Sequence, residues 1–202
     1  GGTGAAPLEF TDHVGAPLRE ALMLVHNTLV GLGLRERVKL GASGKIVTAF
    51  DIARTLALGA DYCNSARGFM FALGCIQAQS CHTGRCPTGV TTQDALRQRA
   101  LVVPDKSERV HQFHLNTLKA LRELIAAAGL EHPRELGPEH VIRRVSSTEV
   151  RSLAALHVWA KPGELLSGTP ESPVFKVFWE AARSDSFAAP AHLLSLRGSK
   201  LQ

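Results

Sequence analysis

Apolar residues recur at helical spacing through Leu18, Leu22, Val25, Leu29 and Leu32. That stripe predicts an amphipathic helix opened by Pro17 and closed by Gly33, with its apolar face in the core. Arg37 to Ala42 reads as a short strand and Ser43-Gly44-Lys45 as a turn. Thr48, with Asp51 three residues on, predicts a capping box for a helix over Phe50 to Leu58 that Gly59 stops. Ala60 to Asn64 reads as a second strand, Ser65 to Gly68 as a turn, and Phe69 to Gly74 as a further helical segment. Helix, strand, helix, strand, helix with short links predicts an α/β fold with parallel strands.

Downstream, Ala95 to Val103 reads as irregular or a short helix. Asp105 and Glu108 predict a capped helix with Val110, Phe113, Leu118, Leu121, Leu124, Ile125 and Ala128 on its apolar face and Gly129 at its end. It should be the longest helix, with Phe113, Leu121 and Leu124 buried. Leu136 to Arg144 and Thr148 to Val158, the latter capped by Ser146 with Glu149, read as shorter packing helices. Beyond Lys161 the periodicity fades, leaving one more helix over Val174 to Arg183. No internal repeat stands out.

Composition narrows the functional classes. The chain has 202 residues, enough for one domain with a real core, and is 45% hydrophobic and 20% charged. Its net charge of +5 comes from 23 basic and 18 acidic residues, scattered without the run that a nucleic-acid stripe needs. No signal-peptide pattern and no membrane-spanning apolar run is visible, so the thiols imply a reducing, cytoplasmic setting. The opening, GGTGAAP, is a loop type that normally follows a strand, so the chain is expected to be a piece of a longer protein. Its glycines read either as a plain turn or as backbone that approaches a flat or phosphorylated ligand closely.

The most specific chemistry lies between Gly74 and Asp94. Cys75, Cys81 and Cys86 follow a C-x5-C-x4-C spacing with Pro87 and Gly89 directly after, and a fourth cysteine, Cys63, stands apart. Arg85 is the one charged residue between the first and third of these cysteines. Thiolates hold iron or zinc, and Cys runs followed by Pro hold iron–sulfur clusters. Three ligands suit a three-iron cluster and fall one short of a four-iron or structural zinc site. Zinc completed by His82 or Cys63, a disulfide, or unliganded core cysteines are the other readings. His82 and Arg85 flank the thiols, as tuning groups or as solvent-facing residues. The two strand ends that turn through small residues into helices are, in addition, a recognised arrangement for binding phosphate.

Taken together, GGTGAAP, GASGKIVTAFDIARTLALGAD, NSARGFMFALGC and the three-cysteine loop resemble the FMN-binding domain of glutamate synthases. The likeness is strongest to the shorter FMN-binding glutamate synthase family, which lacks the amidotransferase domain of the large enzyme. It runs over nearly the whole chain and is densest from Gly41 to Gln93. The resemblance implies the C-terminal portion of a (β/α)8 TIM barrel, about strands 6–8, followed by a helical C-terminal extension. Residues 1–100 would then be the barrel part with its iron–sulfur loop, and 101–202 the extension packing on it.

By the same resemblance Cys75, Cys81 and Cys86 hold a 3Fe–4S cluster beside the flavin, while Cys63 matches no ligand and is core. Ser43, Gly44 and Lys45 match the turn after the seventh strand, and Ala66, Arg67 and Gly68 the turn after the eighth; both grip the FMN phosphate. Gly2, Thr3 and Gly4 match the glycine loop near the flavin. The chain departs from the large enzymes at Ser43, where they have Gly, and at Arg67, where they have a small residue. A full barrel needs about 250 residues, so the first five strands, with the Lys and carboxylates that handle substrate, lie outside this chain. The implied function is an FMN- and iron–sulfur-dependent oxidoreductase acting on CH–NH2 donors. It reduces the imine of 2-oxoglutarate to L-glutamate. The implied partners are 2-oxoglutarate, ammonia or glutamine-derived nitrogen, and an amidotransferase or electron-donor subunit; the piece alone is expected to be inactive. The rivals are a zinc- or cluster-stabilised binding module without redox turnover, and an FMN oxidoreductase of the same family with a different amino-acid-like substrate.

Overall fold

A computed structural model of the chain describes residues 6–168, 170–188 and 190–194. Gly2, Thr3 and Gly4 of the glycine loop lie outside the described residues. The chain is mixed α/β, and its contacts divide it into two units, Gly1–Leu24 with Lys39–Leu156 and Val25–Val38 with His157–Gln202. Helix α1 (Leu8–His13) follows Pro7, and α2 (Leu18–Gly31) follows Pro17 and runs from the first unit into the second. Leu22 of its stripe is buried, but Val25, expected on the core face, is 46% exposed; Gly33, at φ 66°, turns the chain off the helix as expected.

The strand expected over Arg37 to Ala42 is shorter and later. Arg35–Arg37 form a 3-10 turn, and β1 is Gly41–Ser43. Asp61 accounts for the late start. Its carboxylate accepts from the Leu40 N–H at 2.8 Å, and its own N–H donates to the Leu40 carbonyl at 2.8 Å, so pairing begins at the next residue. Helix α3 (Ala49–Ala57) opens on the capping box: the Asp51 N–H donates to Thr48 Oγ1 at 3.1 Å, and the Thr48 N–H donates to Asp51 Oδ2 at 3.0 Å. Gly59, at φ 110°, reverses the chain into β2 (Tyr62–Asn64).

Strands β1 and β2 are parallel neighbours, with Gly41 opposite Tyr62, Ala42 opposite Cys63 and Ser43 opposite Asn64. Parallel neighbours need a crossover, and α3 supplies it. A Cβ at Gly41 would strike Tyr62 Cζ, so the Tyr62 ring rests on the bare face of this glycine. Helix α4 (Ala66–Ala72) starts directly after Ser65, so Ala66, Arg67 and Gly68, expected in a turn, form its first turn instead. The Ser65 hydroxyl fixes that start by donating to the Ile46 carbonyl at 2.7 Å.

A four-residue α5 (Ala95–Gln98) precedes α6 (Val103–Ala127), which at 25 residues is the longest described helix. The expected Asp105–Glu108 cap does not form. Val102 is the N-cap, Pro104 sits in the first turn with Asp105, and Glu108 accepts from Gln112 Nε2 at 2.7 Å. One side of α6 packs on α3, where Leu121 and Ile125 are buried with Ala49 and Ala53. Phe113 meets Phe69 of α4 edge to face at a 5.3 Å centroid distance, and is half-buried. Leu124, expected in the core, is 36% exposed, because α3 and α4 cover only one side of α6.

The two helices expected between Leu136 and Val158 are replaced. Pro133–Glu135 and Pro138–His140 are 3-10 turns, followed by the antiparallel hairpin β3 (Ile142–Arg144) and β4 (Val150–Ser152) and by α7 (Leu153–Leu156). β-Branched Ile142, Val145 and Val150 favour extended backbone. The N–H groups of Val145 and Ser146 both donate to the Glu149 carbonyl, at 2.9 and 3.3 Å, so Ser146 is a turn residue rather than a helix cap.

In the second unit Asn27 of α2 receives the Ala160 N–H on its Oδ1 at 3.0 Å and donates from Nδ2 to the Val158 carbonyl at 3.2 Å. Leu165 lies on the bare face of Gly31. Helices α8 (Pro173–Phe178) and α9 (Ala191–Leu194) follow, the first shorter than the helix expected over Val174 to Arg183. Among the described residues no helix is long and apolar enough to cross a membrane.

Candidate functional site

Two features of the first unit combine into a candidate site. The first is the pair of turns after β1 and β2. Because the strands are parallel and in register, Ser43 and Asn64 end at the same edge. Beyond Ser43 the chain turns through Gly44 at φ 155° and Lys45 at φ 52°, both left-handed. The Ser65-to-Ile46 hydrogen bond ties this turn to the start of α4. Ser43, Gly44, Lys45, Ala66 and Arg67 therefore share one edge. Gly68 has a different surrounding: a Cβ there would lie 2.8 Å from both Phe113 Cζ and Ser65 Oγ, so its bare face is filled by the packing of α6.

The second feature is the cysteine loop. Helix α4 spans about 10 Å at 1.5 Å per residue before Gly74, at φ 106°, turns the chain into the loop. Gly84 and Gly89 are left-handed, and so are Gln77 and Gln79 at φ 56° and 58°. A left-handed non-glycine residue costs roughly 1–2 kcal/mol, so the loop is held in this shape by its anchors. Buried Thr92 donates to the Gly84 carbonyl and accepts from the Asp94 N–H at 3.1 Å, while its own carbonyl accepts from Gln98 Nε2 at 2.7 Å. Asp94 caps α5 through the Leu96 N–H at 2.8 Å, and a Cβ on Gly89 would strike the Arg97 carbonyl. Helix α5 thus clamps the loop from below.

Cys75, Cys81 and Cys86 line one pocket, together with the apolar Ile76 and Val90 and the hydroxyl-bearing Thr91. Its enclosed volume is about 10 Å³, roughly that of one water. All three are free thiols, as is Cys63 on β2. The Gln77 N–H points at Cys75 Sγ at 3.5 Å, and Thr88 Oγ1 lies 3.5 Å from Cys86 Sγ. Burial opposes ionisation of Cys86, but the Thr88 hydroxyl, the Thr91 and Thr88 backbone N–H groups and the Thr91 hydroxyl outweigh it and bring the thiol down to about 6. Burial alone pushes the Cys63 thiol up to about 11. His82 and Arg85 are exposed and do not line the pocket.

Among the described residues no three ligating groups stand at the spacing of a closed metal site. The donor set nonetheless fits an iron–sulfur group: three thiols, no carboxylate in the lining, and N–H and hydroxyl donors close to the sulfurs. Sequence reasoning found the cysteines and missed the threonines. The available signal was hydroxyl residues two and five positions after the third cysteine.

Residues 1–131 match the conserved region in glutamate synthase. The chain belongs to the glutamate synthase family. Its relatives include the glutamate synthase large subunit-like protein YerD of Bacillus subtilis, 47% identical over 144 residues, which are 71% of this chain and 27% of that protein. The ferredoxin-dependent glutamate synthase of Antithamnion sp. is 39% identical over 137 residues, 67% of this chain and 9% of the relative. The large chain of NADPH glutamate synthase from Bacillus subtilis is 36% identical over 132 residues, 65% of this chain and 8% of the relative. This member of the family thus spans about a quarter of the first relative's length and under a tenth of the other two.

Proposed function

We propose that this chain is the part of a glutamate synthase-type oxidoreductase that grips the FMN phosphate and holds a 3Fe–4S cluster. The supporting observation is the convergence of Cys75, Cys81 and Cys86 on one pocket, one short helix beyond the paired turns. Ser43, Gly44 and Lys45 offer backbone N–H groups and a cation to the phosphate from one turn, and Ala66, Arg67 and Gly68 do so from the other. Gly68 contributes through its backbone, since its bare face is occupied by Phe113. Gly2, Thr3 and Gly4 complete the cradle near the flavin. Cys75, Cys81 and Cys86 each give a thiolate to the cluster, and Cys63 gives none.

When bound, FMN supplies reducing equivalents to the imine of 2-oxoglutarate, yielding L-glutamate, and the cluster supplies electrons one at a time. The chain's own contribution is to hold the phosphate turns one short helix from the thiols, with Ile76 and Val90 as apolar lining beside them. Residues 1–100 belong to the end of a (β/α)8 barrel, about strands 6–8, and 101–202 to an extension packed on it. Substrate handling, ammonia or glutamine-derived nitrogen, and electron supply come from other parts of the protein or from partner subunits in the cytoplasm.

The test uses the full-length protein purified without oxygen. It should release about one FMN per chain on heat denaturation, and 2-oxoglutarate with ammonia should reoxidise the reduced protein with formation of glutamate. Changing Gly44 to Val should abolish flavin binding. A colourless, zinc-bearing protein with no flavin would replace this reading with that of a metal-stabilised binding module.

A further inference from the structure

We infer that the hydroxyls of Thr88 and Thr91 donate hydrogen bonds to sulfur in the three-thiol pocket and thereby set the reduction potential of the cluster held there. This rests on the reading of Cys75, Cys81 and Cys86 as its ligands. Thr88 Oγ1 already lies 3.5 Å from Cys86 Sγ. Thr91 Oγ1 is buried in the same lining, near enough to help lower the Cys86 thiol, yet it makes no hydrogen bond of full distance and angle. Buried hydroxyls without a partner are rare in native proteins, and each calls for an explanation such as a missing ion or group.

The backbone that carries both threonines is anchored. Gly89, between them, is left-handed at φ 80° and pressed against the Arg97 carbonyl, and its N–H donates to the Cys86 carbonyl at 3.4 Å. Thr92, next in the chain, is anchored to Gly84 and to Gln98. The segment from Pro87 to Thr92 therefore holds both hydroxyls in the lining of the three-thiol pocket. His82 and Arg85, the charged or ionisable residues next to Cys81 and Cys86, are exposed and do not line the pocket. A donor to a cluster sulfur stabilises the extra electron of the reduced state more than it stabilises the oxidised state, so it raises the potential. Valine has the shape of threonine and no donor.

The experiment is a redox titration of the anaerobically purified full-length protein, monitored by electron paramagnetic resonance, with iron counted in each sample. The variants are Thr88→Val, Thr91→Val, Thr91→Ser and the double valine variant. Expected are full iron content, a midpoint shifted to more negative potential in each valine variant, a larger shift in the double variant, and a return toward the native midpoint in Thr91→Ser. Iron-loaded valine variants with the native midpoint would overturn the inference while leaving the ligand assignment intact. Loss of iron in Thr91→Val but not in Thr91→Ser supports hydroxyl donation, whereas loss in both would assign the position to shape and overturn it. A native protein with zinc or no metal would remove the ligand reading, and the inference with it.

Discussion

Leu121 tests how the first unit is held together. It is 9% exposed on α6 and packs with Ile125 against Ala49 and Ala53 of α3, with Ile52, Ala120, Leu130 and Leu136 around them. Changing it to Ala removes three heavy atoms from the seam between the helices. The facing alanines have no side chain to swing into the hole, and the backbones they sit on are fixed by the Thr48–Asp51 capping box at one end of α3. Only the partly buried Ile52, Leu130 and Leu136 can move toward the hole, which places the cost within the range for buried Leu to Ala, about 2–5 kcal/mol. For a chain of this size that is roughly 4–20 °C in Tm. Urea denaturation followed by circular dichroism at 222 nm reads it directly. Leu118, 43% exposed on the same helix, is the control. Its change to Ala should cost under about 1 kcal/mol. The reasoning fails if Leu121→Ala costs less than about half a kcal/mol, or if the two variants are equally destabilised.

Four further expectations follow from the same structure. Thr48→Ala should cost about 1 kcal/mol by uncapping α3, measured in the same urea experiment. Burial works to raise the Asp51 carboxyl, but hydrogen bonds from Thr48 and Val47 and the charge of Arg54 hold it below its ordinary value of 3.8. Its contribution is thus fully present above that value and lost as pH falls through the lower folded value. Asp51→Asn should flatten the acid limb of the stability curve below about pH 4, and an unchanged limb would refute the assignment. Gly68→Ala places a Cβ 2.8 Å from Phe113 and from Ser65, so it should destabilise by about 1–3 kcal/mol; unaltered stability would mean that α6 does not sit on α4 as described. In the metal-free protein at pH 8, Cys63, with its thiol pushed up to about 11, should alkylate more slowly than Cys81 and speed up about tenfold per pH unit. Peptide mass mapping checks this, and equal rates would contradict it.

What was legible in the sequence was local. Thr48 and Asp51 are three residues apart, so their reciprocal cap could be read from spacing alone, and it forms. The order of strands and helices around α3 sufficed for the parallel pairing of β1 and β2. The spacing of the cysteines sufficed to single out their loop. What escaped depends on residues distant along the chain. The late start of β1 is set by Asp61, 21 residues beyond Leu40. Gly68 reads as a turn glycine until Phe113 of α6 is seen on its bare face. The helical spacing counted between Leu136 and Val158 lost to β-branched residues and to the cross-strand register of Arg143 with Arg151. Thr88 and Thr91 carry no distinctive signal, because only the fold of the loop turns them toward the sulfurs.

The central claim is that Cys75, Cys81 and Cys86 bind iron and Cys63 does not. Metal analysis of the anaerobically purified full-length protein tests it most directly, alongside the Cys81→Ser and Cys63→Ser variants. The account predicts a brown protein with about three irons per chain, iron lost on changing Cys81 and iron retained on changing Cys63. Zinc in place of iron, or loss of metal on changing Cys63 alone, would contradict it.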